Sequence, residues 1–257
     1  MIQLHFKQYG DEGKPLIILH GFLGSLDNWH TLSTLWSKNG IAVYAVDLRN
    51  HGRSPHTEHH SIDLMVDDLK DFMNEQNLSS ATILGHSMGG KVAMQFALTF
   101  PEMVDKLIVA DIAPKKYKPG HDDVFKAIFN VDLDSIKTRK EAEEAMISFL
   151  PDFGTRQFIL KNMERNDEGK YSWKFNLETL FKEYDEVTKE VHSENTFSGE
   201  TLFTRGGLSK YIQDKDIEMI KNIFPNSRIV TIENAGHWLH ADKPEDFSKL
   251  VLDFLLT

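Results

Sequence analysis

ATILGHSMGGKVAMQFALTFP, residues 81–101, is the stretch on which the fold assignment turns. The apolar run 81–84 suits a buried strand. It meets Gly85-His86-Ser87-Met88-Gly89, after which apolar residues recur with helical period until Pro101 ends the pattern. Strand, G-x-S-x-G turn and helix in that order read as a nucleophile elbow, a tight, strained turn that lifts a serine hydroxyl above the carboxyl edge of a sheet. The glycines let the backbone fold that closely, and the following helix aims its positive end at the serine. A bare G-x-S-x-G is common and can be only a turn; the flanking strand and helix give this one its chemical reading.

Outward from the elbow, short β-rich runs alternate with helical patterns. Strands are expected at 16–19, 41–46, 81–84, 106–110, 200–204 and 228–232, with helices near 29–38, 62–76, 89–100, 216–223 and 244–256. That rhythm predicts a mostly parallel sheet flanked by crossover helices. Between residues 115 and 198 it gives way to consecutive helical patterns with no strand. The expectation is therefore an α/β core formed by 1–114 and 199–257, with 115–198 inserted as a helical cap.

Composition narrows the function. With 257 residues and 40% hydrophobic content, the chain can bury one large core. A formal net charge of −10 argues against nucleic-acid binding, which needs clustered Lys and Arg. The absence of cysteine excludes disulfides, thiolate catalysis and Cys-ligated zinc. MIQLHFKQYG has no basic start followed by a long apolar run, so no signal peptide is expected. No apolar stretch reaches the roughly 18 residues of a membrane span. A cytoplasmic location is the expectation.

A serine hydroxyl needs an adjacent base. Of twelve histidines, His237 stands just after the last expected strand and before the last helix, on the same sheet edge as Ser87. His56, His59 and His60 are read as a solvated loop, because no ligand set of known spacing accompanies them; neither metal nor cofactor is expected. Oxyanion donors are expected from the backbone N–H of Met88, at a helix start, and of Phe22 in the loop after strand 16–19. His20 is read as structural. Trp173, Trp238, Phe125 and Phe129 are candidates to line an apolar acyl pocket between cap and elbow.

Six stretches resemble the YbfF-type esterases of the α/β-hydrolase superfamily, a group related to abhydrolase-domain-containing protein 11. They are HGFLGSLDNW (20–29), DLRNHGRSPH (47–56), GHSMGGK (85–91), DIAPKKY (111–117), WKFNL (173–177) and AGHWLHADKP (235–244). The resemblance implies an α/β-hydrolase fold and an esterase with Ser87 as nucleophile, His237 as base and Phe22 and Met88 as oxyanion donors.

The acid is where the sequence departs from the commoner superfamily pattern. A G-x-x-D turn after the post-cap strand would carry it, but this chain reads Gly206-Gly207-Leu208-Ser209. Asp111 ends the strand one crossover beyond the elbow, and the resemblance at DIAPKKY favours it; Asp214 and Asp216 remain alternatives. The expected activity is hydrolysis of short- to medium-chain carboxylic esters through an acyl-enzyme, with a small-molecule acyl ester as partner. Acyl thioester hydrolysis on the same triad is a second enzymatic reading. A ligand-binding protein of the same fold without turnover is a third, of a different class. Oligomeric state is open.

Overall fold

The computed structural model describes residues 2–166, 168–192 and 194–257. Its strands are β1 (Phe6–Tyr9), β2 (Lys14–Leu19), β3 (Ile41–Val46), β4 (Ala81–His86), β5 (Val104–Ala110), β6 (Met163–Arg165), β7 (Tyr171–Trp173), β8 (Glu200–Gly206) and β9 (Ser227–Ile232). Seven of them form one sheet in the order β1-β3-β2-β4-β5-β8-β9, parallel throughout except for antiparallel β1. The sequence reading missed β1. Its central residues Lys7 and Gln8 are exposed, so FKQY shows no buried alternation.

The core strands read as nearly continuous apolar runs because both faces are covered. Ile17, Leu19, Ile83, Leu107 and Val109 pack on one face against α2 (Ile62–Glu75) and α3 (Met88–Thr99). Leu16, Ile18, Leu84 and Ile108 pack on the other face with Trp36 and Phe247. Trp36 lies in α1 (His30–Ser37) and Phe247 in the terminal helix, 244–256. The indole of Trp36 donates to Ser248 Oγ at 2.9 Å, which satisfies its buried N–H. Among the described residues no helix is long and apolar enough to cross a membrane.

β5 pairs directly with β8, from Lys106 opposite Glu200 to Ala110 opposite Thr204, so the chain between them is an insertion at the carboxyl edge. It is mostly helical and has its own apolar cluster, in which Ala127, Ile128, Met146, Ile159, Leu160 and Trp173 surround Leu23 of the core. The expectation of no strand there is corrected by the antiparallel pair β6–β7. Three residues a side are too few to show a period-two pattern in sequence.

The chain goes from β2 outward to β3 and returns to the other side of β2 for β4. The crevice at the carboxyl ends of β2 and β4 is thus a topological switch point, where open α/β sheets bind ligands. Ser87 stands there with φ 53° and ψ −116°, a strained backbone for a residue with a Cβ. Two glycines make it possible. A Cβ on Gly85 would overlap the carbonyl oxygen of Gly89, and one on Gly89 would overlap that of Leu19.

Loops of this edge rest on buried histidines: His20, His51, His60, His86 and His240. Burial pushes each below the ordinary histidine range, His60 and His240 to about 3. Neither ring nitrogen of His60 has a hydrogen-bond partner among the described residues.

Two stability outcomes follow from this packing. Gly89→Ala is expected to lose at least about 2 kcal/mol in urea unfolding, because the clash is with backbone and cannot be relieved by a rotamer. Gly154→Ala, whose new Cβ would meet nothing nearer than Asp152 Oδ2 at 3.4 Å, should hold or gain up to about 1 kcal/mol; equal losses at both sites would contradict the packing. The histidines set the sign of the pH dependence. Below the unfolded value near 6.5, the unfolded chain binds protons that the folded chain refuses, so stability falls with pH by up to ~1.4 kcal/mol per unit for each such histidine. His60→Leu should flatten the curve between about pH 6.5 and 4; an unchanged slope would show that His60 is not held neutral.

Candidate active site

The end of β4, the end of β5 and the loop after β9 bring Ser87, Asp111 and His237 into one hydrogen-bonded chain. His237 Nε2 lies 2.9 Å from Ser87 Oγ, and His237 Nδ1 lies 2.8 Å from Asp111 Oδ2. With the carboxylate fixing the proton on Nδ1, Nε2 is left to accept from the serine. An imidazole held in this way can take a proton from a hydroxyl that attacks an acyl carbon.

Asp111 is fully buried and has φ 52°, so its carboxyl turns back under the histidine loop. Gly206 N–H donates to Oδ1 at 3.0 Å, and the Ser209 hydroxyl donates to Oδ2. Ser209 thus stands where the commoner pattern has the acid, and binds the carboxylate that reaches in from β5. The alternatives lie elsewhere. Asp214, its side chain 85% exposed, pairs with Arg205 at 2.6 Å. Asp216 is buried against Lys115 and accepts the Gln213 N–H at 2.9 Å.

Met88 is the first residue of α3, so its N–H is one of the four that no helical carbonyl accepts. Phe22 lies across the crevice in a loop fixed by two histidines. His20 Nε2 accepts from Leu48 N–H at 3.0 Å while its Nδ1–H donates to the Gly21 carbonyl at 2.8 Å. His51 Nε2 accepts from Leu23 N–H at 3.1 Å while its Nδ1–H donates to the Arg49 carbonyl at 2.9 Å. Each ring must be neutral to accept and donate at once, in keeping with the burial that disfavours protonation. Arg49 is itself held by a two-pronged pair with buried Asp68 at 2.6 and 2.8 Å. His56 and His59 are exposed while His60 is buried, and the described residues include no cluster of three metal-ligating side chains.

Two further contacts escaped the sequence reading. Tyr211 stacks on His237 with ring centroids 3.8 Å apart and 14° between planes. His86, inside the elbow motif, donates from Nε2 to the His237 carbonyl at 2.9 Å and so ties the His237 loop to the strand that leads into Ser87. Nothing near Tyr211 in sequence marks it. The position of His86 beside Ser87 was the available signal.

Two cavities meet at Ser87, of about 240 and 290 Å³, sharing Phe22, His121 and Tyr211 as walls. Trp238 lines the larger one, with Phe158 5.3 Å from it. The other three aromatic candidates are placed differently. Trp173 stacks on Phe175 inside the cap cluster, and Phe125 is buried against Phe22, Phe181 and Tyr184. Phe129 is 50% exposed and faces an outer groove with Phe149 and Phe181. Helical periodicity identifies an apolar face, but a cap has apolar faces toward its own core and outer surface as well as toward the sheet.

Comparison with known proteins identifies the family. The family described as alpha/beta hydrolase fold matches residues 14–244. The sn-1-specific diacylglycerol lipase ABHD11 of Mus musculus is 38% identical over 254 residues, 96% of this chain and 82% of that protein. Esterase YbfF of Escherichia coli (strain K12) is 32% identical over 257 residues, covering 99% of this chain and 97% of its own. A solved marine microorganism esterase superposes with a TM-score of 0.96 at 43% identity, covering 99% of this chain and 100% of that one. The chain therefore belongs to the α/β-hydrolase fold family and is a hydrolase of its esterase and lipase type.

Proposed function

We propose that the protein is a serine carboxylesterase acting on short- to medium-chain acyl esters, with Ser87, His237 and Asp111 as its triad. The observation that supports this reading is the unbroken hydrogen-bonded chain from Ser87 Oγ through both nitrogens of His237 to Asp111, at 2.9 and 2.8 Å. Cavities of about 240 and 290 Å³ lie at or below the small end of ordinary ligand sites, in keeping with modest acyl and alcohol groups.

Ser87 Oγ attacks the ester carbonyl carbon as its proton passes to His237 Nε2. The carbonyl π electrons move onto oxygen, which accepts hydrogen bonds from the N–H groups of Met88 and Phe22. Asp111 stabilises the imidazolium formed. As the tetrahedral adduct collapses, the carbon–oxygen bond to the alcohol breaks and His237 returns its proton to the leaving oxygen, so the acyl group remains on Ser87. A water molecule then loses its proton to His237 and attacks the acyl carbon. Collapse of that adduct releases the acid and restores the serine hydroxyl.

In hydrolysis of 4-nitrophenyl butyrate, Ser87→Ala and His237→Ala should each lower kcat by on the order of 10⁶, and Asp111→Asn by about 10⁴, with circular dichroism unchanged. Asp214→Asn and Asp216→Asn should stay within a few-fold of the parent. Near-normal turnover in Asp111→Asn, with collapse in either of the other two, would move the acid to the later loop. A fluorophosphonate probe should label the parent and not Ser87→Ala; an unlabelled, folded parent would favour a ligand-binding protein. A higher kcat/KM for butyryl thioesters than for matched oxygen esters would favour thioester hydrolysis.

A further inference from the structure

The two cavities at Ser87 are chemically unlike. On the esterase reading above, the leaving oxygen must face His237 Nε2, which returns the proton. His237 lines the 290 Å³ cavity and not the other, so the larger cavity takes the alcohol. The acyl chain then runs the other way, past Met88, into the 240 Å³ cavity.

That acyl cavity is lined by Lys91, Lys118 and Lys210 and, among the described residues, by no Asp or Glu, in a chain of formal net charge −10. Lys91 lies one turn along α3 from Ser87 and is 1% exposed. Its ammonium has three donors; the Thr188 carbonyl accepts at 3.0 Å and the Lys189 carbonyl also accepts. No ion pair with a carboxylate engages it among the described residues, and burial lowers its pKa to about 8 against a weaker opposing pull from Glu190. Lys118 and Lys210 are exposed. Two carbonyls and the Tyr117 ring, 5.0 Å from Nζ, surround this buried cation, but no carboxylate pairs with it among the described residues, and two more lysines share its cavity wall, so the cavity is suited to an anionic group.

We propose that this cavity selects acyl groups ending in a carboxylate, as in monoesters of short dicarboxylic acids, with Lys91 meeting the carboxylate at the buried end and Lys118 and Lys210 attracting it from the mouth. Charge-assisted hydrogen bonds from Lys91 would fix the far end of the chain, and the exposed pair would add a salt-sensitive contribution to capture.

The test compares kcat/KM for ethyl hydrogen glutarate with that for ethyl hexanoate, a neutral ester of similar acyl length, by titrating the acid released. The butyrate ester of glycolate against ethyl butyrate places the carboxylate on the alcohol side instead. The parent should favour the glutarate ester by about tenfold or more and show no such preference for the glycolate ester. The preference should vanish in Lys91→Met. Should that variant fail to fold, the exposed double variant Lys118→Gln/Lys210→Gln serves, with a preference cut at least threefold. A parent that hydrolyses ethyl hexanoate well and the glutarate ester no better overturns the acyl-carboxylate assignment while leaving the esterase reading intact. So does a preference confined to the glycolate ester. A parent that hydrolyses none of the four esters overturns both.

Discussion

The site depends on backbone hydrogen bonds that continue the sheet past the ends of its strands. Ser87 N–H donates to the Ala110 carbonyl at 3.0 Å, and Asp111 N–H donates to the Thr204 carbonyl at 2.8 Å. Gly207 N–H reaches the Ile232 carbonyl and Leu208 N–H the Ala235 carbonyl, each at 2.9 Å. Four consecutive strand ends, β4, β5, β8 and β9, are thereby laced together, and each carries or supports one member of the hydrogen-bonded chain. Backbone ladders hold these positions more rigidly than loops could, which matters where small misplacements are costly. The strained φ values of Ser87 and Asp111 are sustained by these bonds and by the close approach of α3 to β2 at Gly89.

The placement of the carboxylate shows how one site is assembled from different strands. With serine at 209, the carboxylate hydrogen-bonded to His237 comes from the end of β5, one strand nearer Ser87, and the later loop supplies hydrogen-bond donors. Gly206 N–H and the Ser209 hydroxyl bind the Asp111 oxygens that a solvating water would otherwise bind, so the buried carboxylate is satisfied. The buried neutral histidines play a comparable part on the other side of the crevice. His20 and His51 each join two backbone segments by accepting at one nitrogen and donating at the other, a role that Lys or Arg cannot take, since neither has an acceptor.

Legibility in the sequence followed range. The elbow was readable because strand, turn and helix are contiguous and the glycines have local steric reasons. The places of His237 and Met88 on the sheet edge follow from position relative to those elements, and that of Asp111 from counting one crossover, with the resemblance at DIAPKKY favouring it over Asp214 and Asp216. β6 and β7 were too short to show periodicity, and edge strand β1 is half polar. Tyr211 on His237 joins two core loops, after β8 and after β9, that are 26 positions apart, and the inward or outward sense of Phe125, Phe129 and Trp173 depends on how the cap helices turn over the sheet. That orientation is set by packing between residues more than 100 positions apart, such as Asn162 Nδ2 on the Leu23 carbonyl at 2.8 Å. The lysines lining the 240 Å³ cavity come from α3, the 111–121 loop and the loop after β8, and nothing in their separate stretches announces that they share a wall.

The central claim is that Ser87 carries the acyl group between the two half-reactions. Rapid acid quench during turnover of 4-nitrophenyl butyrate, followed by peptide mass spectrometry, reads it directly. A butyryl adduct on the peptide that contains Ser87, formed during a burst of nitrophenol and absent from Ser87→Ala, is the expected result. Full turnover with no adduct on that peptide, or with the acyl group on another side chain, would contradict it.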